Sequence, residues 1–323
     1  MKNTDVVSVS NRGFLIFAGL LSLLLAYGCE SQEAVEVQVG ESQVSATQVV
    51  GEVVDVAIPE PARSICDPFS GKGGPSSQQS LSQKGLHANL YYLSADQPRY
   101  SKVADYLSFG HKVDAELFFN QLNVPTRKFD LGFQKQDGAL VNTLEGQSLL
   151  EWFALHFESR IALSAPDSPG KYQFAVLSDD GSVVSIDDGS GGKVSINNDG
   201  TTPSRLRCAS KSVRLDGSSL LPIQLDYFQG PRYHIALILL WRQIPDSVDE
   251  SKDPSVLSDV LCNVAGNGIF FDYNQIPSAP TVKWNDLLNR GWKVLGPENY
   301  VLPARVEANP CPPSDGGGGV IGI

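Results

Sequence analysis

Several chemistries are excluded by what the chain lacks. Its four histidines, His87, His111, His156 and His234, are scattered, with no HExxH and no paired spacing, so metal-dependent hydrolysis has no support. No CxxC and no Cys/His spacing suggests a zinc site. Cations are few and dispersed: Lys and Arg total 25 against 36 Asp and Glu, a net charge of -11. Nucleic acid and anionic lipid both require clustered cations, so neither is an expected partner. Ser168-Pro169-Gly170-Lys171 satisfies S-x-x-K on paper, but its proline and glycine place it in a turn, and no K-T-G follows. Gly189-Ser190-Gly191-Gly192-Lys193 lacks the glycine spacing and the Ser/Thr after lysine of a phosphate-binding loop. No second domain of catalytic size is expected beside the main one. The expectation is a non-enzyme.

Long apolar runs are also missing. The N-terminal run at 14–26, preceded by Lys2 and Arg12, falls short of the about 20 apolar residues that a spanning helix needs. It ends in Leu25-Ala26-Tyr27-Gly28-Cys29, where small residues flank a cleavage point for a lipoprotein signal peptidase. Residues 1–28 therefore read as a signal peptide and Cys29 as the lipidated N-terminus. A plain secretory signal with an incidental cysteine is the open alternative. Glu30, in place of Asp, is compatible with export to an outer membrane, and the expected location is an outer membrane or cell surface. The chain has 5 cysteines, an odd number that the loss of Cys29 to lipid makes even. Cys66, Cys208, Cys262 and Cys311 remain for two disulfides in an oxidising compartment. Cys66 with Cys208 and Cys262 with Cys311 is the favoured pairing, since each bond then ties a peripheral segment to something nearby. The other two connectivities stay open.

Residues 29–80 read as an acidic, polar tether and linker, with a loop rich in Gly, Ser and Gln at 71–79. Val35, Val37 and Val39 alternate, which leaves an edge strand open as a second reading. From Lys84 the texture becomes all-β, with short apolar runs between Gly, Asp, Asn and Pro turns. Tyr172, Phe174 and Val176 alternate with Gln173 and Ala175, a half-buried strand, and Ile223, Leu225 and Tyr227 repeat the pattern. The continuous apolar run 235–241, bracketed by Pro231 and Pro245, predicts a central strand covered on both faces. Helices are expected at 144–157 and 284–290. The main domain spans 81–245, a C-terminal extension packed on it spans 246–310, and a Gly-rich tail spans 311–323.

Gly85-Leu86-His87-Ala88-Asn89-Leu90-Tyr91-Tyr92 resembles the opening strand of the PA14 domain, a β-sandwich module of adhesins, glycosidases and other surface proteins. Gly170-Lys171-Tyr172-Gln173-Phe174, running into Ser178-Asp179-Asp180-Gly181-Ser182, resembles that family's central hairpin. Val184-Ser185-Ile186-Asp187 with Asn198-Asp199-Gly200 resembles its I-D…N-x-G stretch. Pro222-Ile223-Gln224-Leu225-Asp226-Tyr227-Phe228 and the strand ending in Trp241 resemble its closing hairpin. The resemblance covers roughly half of the chain and implies an all-β, PA14-like β-sandwich of antiparallel sheets. In fungal adhesins of the family the two aspartates hold a calcium ion that contacts sugar hydroxyls, so Asp179 and Asp180 are the candidate Ca²⁺ ligands. The adhesins add an asparagine from the loop after the closing strand; Phe228-Gln229-Gly230-Pro231-Arg232 has none, and Gln229 is the candidate substitute.

Asp187, Asp188 and Arg232 are further ligand-binding candidates. A hairpin turn whose carboxylates cap backbone N–H groups is the competing reading of Asp179 and Asp180. Tyr91, Tyr92, Tyr227, Phe228 and Tyr233 are either sugar-stacking or core residues. The expected function is a lipid-anchored envelope protein that binds glycan with Ca²⁺; the alternative is a structural lipoprotein that docks an envelope protein and has no metal site.

Overall fold

The computed structural model describes residues 64–69, 82–135 and 137–311. The signal segment, Cys29, the tether up to residue 63, the loop 71–79 and the tail from 312 lie outside the described residues. In chain order the main strands are β1 (Ser64–Cys66), β2 (Leu86–Tyr92), β3 (His111–Phe119), β4 (Asn123–Lys128), β5 (Phe153–Ile161) and β6 (Gly170–Asp179). β7 (Ser182–Asp187), β8 (Lys193–Asn198), β9 (Arg205–Leu215), β10 (Leu221–Gln229) and β11 (His234–Ile244) follow. Helix α1 (Val103–Phe109) lies between β2 and β3. The C-terminal part adds α2 (Asn267–Phe270), β12 (Phe271–Asp272), β13 (Ala279–Pro280), α3 (Val282–Asn289), β14 (Lys293–Val294) and β15 (Tyr300–Val301).

Two sheets enclose one core, as expected for a β-sandwich. The larger runs β1-β3-β2-β5-β10-β7-β8, with β15 also paired to β5; the smaller runs β14-β11-β6-β9, with β4 on β11. Pairing is antiparallel except between β1 and β3. The period-two pattern places Leu86, Ala88, Phe153, Leu155, Phe157, Ile223, Leu225 and Tyr227 of the larger sheet inward. They meet Tyr172, Phe174, Val176, Leu237, Leu239 and Trp241 of the smaller sheet. Each such large apolar side chain contributes about 1.5–3 kcal/mol of burial.

The run 235–241 lies wholly inside β11, and every residue in it is buried. Its second face is covered by the C-terminal extension: Phe270, Phe271, Trp284, Leu287 and Trp292 pack on Ala175, Leu177, Leu206, Ile238 and Leu240. This cover also corrects the expectation for β6, which is not half-buried, since Gln173 and Ala175 are as inaccessible as Tyr172 and Phe174. Gln173 is accommodated because its Nε2 donates to the carbonyls of Ala209 and Leu257 and its Oε1 accepts from Arg242. Arg242 in turn pairs with Asp259 at 3.3 Å and stacks on Trp292.

Other expectations change as well. The tether does not extend to residue 80 unbroken: β1 pairs with β3, and Phe69 enters the core against Phe119, Phe129 and Phe133. No helix forms at 144–157. The bridges Gln134↔Leu140 and Asn142↔Ser148 fold that region into tight turns, and β5 begins at Phe153. There the alternation of Phe153, Leu155 and Phe157, matched to Tyr92, Leu90 and Ala88 of β2, outweighs helical spacing. The helix expected at 284–290 is α3, capped by Thr281, whose hydroxyl accepts from the amides of Lys283 and Trp284. The favoured disulfide pairing is replaced by Cys66–Cys311 and Cys208–Cys262. Cys208 projects from the outer side of β9 toward the extension, and Cys66 lies beside the chain's returning C-terminal end with Phe118, Leu302 and Val306.

Candidate functional site

The site forms where four connections meet at one end of the sandwich. β6 ends in Ser178-Asp179, Asp180-Gly181 turns the chain, and β7 begins at Ser182. Only glycine fits after the aspartates: a Cβ on Gly181 would lie 2.4 Å from the Phe228 ring and 2.7 Å from the Gly200 amide nitrogen. Below the turn, the Ser178 and Ser182 hydroxyls are 2.8 Å apart, and Asn198 donates to Ser178 at 2.9 Å. Asn198 also accepts from Arg205 Nε at 2.6 Å. The N-x-G stretch thus locks the β8–β9 connection beside the aspartates. The Asp179–Asp180 and Arg232–Tyr233 peptide bonds are both cis.

Asp179 and Asp180 are only 5% and 4% exposed, and neither makes an ion pair with a described residue. Asp180 Oδ1 accepts from the Thr202 amide at 3.0 Å, and its Oδ2 accepts from the Gly230 amide at 2.8 Å. Asp179 Oδ2 accepts from the Ser204 hydroxyl at 3.3 Å. Burial, then the neighbouring Asp180 charge, push the Asp179 carboxyl up to about 8. Burial raises Asp180 to about 6 against its two amide hydrogen bonds. Buried charge without a counterion is costly, so this pair either holds protons or takes a cation.

Gln229 sits beside them, 1% exposed. Its Nε2 is 3.5 Å from Asp180 Oδ2 and donates to the Pro231 carbonyl at 3.1 Å. The Tyr227 hydroxyl lies 2.6 Å from the Asp179 carbonyl and 2.8 Å from Gln229 Oε1. Burial and both aspartates hold that phenol protonated, but it has one proton for two acceptors. With the Gln229 amide turned over, its nitrogen would donate to the Tyr227 oxygen, and its oxygen would face Asp180 Oδ2 and the Pro231 carbonyl.

The aspartates open into a pocket of about 230 Å³, lined also by Thr201, Thr202, Pro203, Pro231, Arg232, Tyr233, His234 and Asn267. Arg232 and Tyr233 stand at its mouth, Tyr233 65% exposed with the Arg232 guanidinium 5.7 Å from its ring centroid. Tyr92, Tyr227 and Phe228 are core instead. Burial, with Lys128 nearby, lowers the pKa of His234, whose ring packs on Tyr273.

Asp179, Asp180, Gln229 and Arg232 are therefore brought together, whereas Asp187 and Asp188 are not. A strand rises about 3.3 Å per residue, which puts Asp187 roughly 17 Å along β7 from Ser182. There Asp187 accepts from the Gly189 amide, and Asp188 from the Ser190 amide and hydroxyl and the Gly192 amide. These two aspartates turn the β7–β8 hairpin. Among the described residues no group of three or more His, Cys, Asp or Glu side chains could hold a metal ion, so any cation here would rely on two carboxylates with amide, carbonyl or ligand oxygens. Sequence reasoning missed Asn267, which comes from α2 of the extension, far from the motifs at 85–92, 170–200 and 222–241. No local signal marks it.

Among solved structures the chain is similar to a PA14 sugar-binding domain from an RTX adhesin, at 20% identity and a TM-score of 0.35, over 50% of this chain and 90% of that one. It is similar to the PA14 domain of an antifreeze protein, at 16% identity and a TM-score of 0.36, over 54% and 88%. The A domain of epithelial adhesin 6 from Candida glabrata, in complex with Galβ1-3GlcNAc, matches at 16% identity and a TM-score of 0.32, over 54% and 84%. No family model and no curated protein matches. The chemistry of the pocket rests on its own residues.

Proposed function

We propose that this chain is a lipid-anchored, non-enzymatic binding protein of the cell envelope, exported through residues 1–28 and held by Cys29, whose sandwich binds carbohydrate with the help of Ca²⁺. The observation that carries the reading is the pair Asp179 and Asp180, buried with no ion-pair partner among the described residues and lining an open pocket. A hard cation suits this donor set, because Ca²⁺ takes six to eight oxygen ligands and the pocket offers carboxylate, amide and carbonyl oxygens. Asp179 and Asp180 would hold it, and Gln229 would join once its amide turned its oxygen toward Asp180 and Pro231. Two carboxylates leave such an ion short of ligands, and vicinal sugar hydroxyls are suited to the open positions. Tyr233 at the mouth offers an exposed ring face for stacking. Two disulfides fit an oxidising location outside the cytoplasm.

One observation favours the alternative, a structural lipoprotein that docks an envelope protein and binds no metal. Asp180 already accepts two backbone amide hydrogen bonds, as a purely architectural turn would. Thermal melts with calcium and with chelator separate the two readings. A calcium-dependent rise in melting temperature that vanishes on Asp179→Ala with Asp180→Ala is the expected result. No calcium effect on the unsubstituted protein favours the structural role.

A further inference from the structure

The pocket is not completed by the sandwich alone. Segment 263–267 of the extension runs along the edge of β9: the Leu206 amide donates to Val264, the Asn263 amide to Leu206 and the Gly266 amide to Ser204. Arg205 and Ala265 form a bridge within the same stretch. The Cys208–Cys262 disulfide ties the start of that segment to β9. Behind it, Ser278 donates to the Thr126 carbonyl, and the Thr126 hydroxyl is 2.8 Å from that of Ser204. The segment delivers Asn267 to the lining of the pocket that holds the aspartates, where Ser204 touches both Asn267 and Asp179.

The orientation of the Asn267 amide follows from its partners. Its Oδ1 accepts from the Ser204 amide at 2.8 Å, so its nitrogen is the atom facing His234 Nδ1, at 3.3 Å. A primary amide carries two N–H donors and two acceptor sites. Asn267 uses one of each on Ser204 and His234, which leaves one donor and one acceptor unspent on a side chain that lines the pocket. A sugar hydroxyl both donates and accepts, and an amide with one of each free is suited to it. The aspartates cannot make that distinction, being acceptors only when ionised.

We propose that Asn267 is a ligand-contacting, specificity-determining residue: the extension builds a second wall of the pocket, on which this amide reads a hydroxyl of a bound saccharide. This rests on the carbohydrate reading above. It divides the pocket into a cation side, Asp179 and Asp180, and a hydroxyl-reading side supplied from outside the PA14-like region.

The test compares the unsubstituted protein with Asn267→Ala and Asn267→Asp on a glycan array in calcium, with calcium binding of each followed by calorimetry. Asn267→Asp keeps an acceptor for the Ser204 amide while removing both N–H donors, so it decides the matter if Asn267→Ala does not fold. The expected result is retained calcium binding with glycan affinity about tenfold weaker, the loss of one or two ligand hydrogen bonds. Variants that bind the same glycans as strongly as the unsubstituted protein overturn this inference and leave the carbohydrate reading standing. An unsubstituted protein that binds calcium but no glycan overturns the carbohydrate reading and this inference with it.

Discussion

The chain writes Asp-Asp-Gly twice, at the two ends of one strand, and the fold makes opposite things of the two copies. Asp179-Asp180-Gly181 opens β7 inside a cluster of connections, and both carboxylates are buried. Asp187-Asp188-Gly189 closes β7 at the surface, where the carboxylates accept amide hydrogen bonds of their own turn. Burial raises both acids of the first copy, whereas hydrogen bonds from Ser190 and Gly192 hold Asp188 below the usual carboxylate range. The residue types are the same, so the contrast comes from what surrounds them. The first turn is roofed by the 230–234 loop, the 201–204 loop and the extension; the second is open to water.

The largest difference between the copies is expected in cation binding. Asp179→Asn with Asp180→Asn should abolish calcium stabilisation, which at a free cation concentration 100 times Kd is about 2.7 kcal/mol. The same exchange at Asp187 and Asp188 should leave the calcium-induced shift in melting temperature intact. An equal loss at both turns would remove the distinction. The glycines come next. Gly181→Ala drives a methyl into the Phe228 ring and the Gly200 backbone, an overpacking worth about 1–3 kcal/mol in denaturant melts. Gly189 has φ of +75° but an open approach, with its nearest contact 3.4 Å away. Gly189→Ala should cost about 1 kcal/mol, from backbone conformation alone.

The sequence made the strands legible where apolar period and turn residues agreed, as in β10, where Ile223, Leu225 and Tyr227 point inward and Gln224 stays exposed. It misled at 144–157, where Leu149, Leu150 and Phe153 offer a helical stripe that overlaps the start of the period-two pattern in β5. Only pairing with β2 and β10 decides between them. The carboxylate pair was legible as a motif, but its burial was not, since Asp187-Asp188-Gly189 reads the same. Asn267 was invisible for a related reason: its place in the pocket depends on long-range pairing of 263–267 with β9, and it follows no repeat or spacing. The Cys208–Cys262 bond depended on that same pairing, and Cys66–Cys311 on the packing of Phe118 with Leu302 and Val306.

Titration should separate the turns by sign. Asp179 and Asp180 have folded values of about 8 and about 6 against an ordinary 3.8. Between those values the native state holds more protons than the unfolded chain, so stability falls as pH rises from about 4 to about 8. Melts in chelator across that range should show the decline, calcium should flatten it, and Asp179→Asn should reduce it. A chelated protein whose melting temperature rises steadily over this range would contradict the burial of the pair.

The smallest effect belongs to the exposed turn and has the opposite sign. Asp188 lies below its ordinary 3.8 because the Ser190 hydroxyl and amide and the Gly192 amide favour the carboxylate. Its contribution is complete above 3.8 and is lost as pH falls through the depressed folded value. Asp188→Asn keeps an acceptor oxygen for the turn while removing the titration, so it should lower the melting temperature slightly near neutrality and make the acid-side loss correspondingly shallower. Solvent screens an exposed carboxylate, so the change should be small and should weaken further in salt. If Asp188→Asn instead changed the slope of melting temperature against pH between 6 and 8, where Asp179 and Asp180 titrate, rather than offsetting it uniformly, the two turns would be coupled through β7. The contrast between them would then be a property of the whole hairpin.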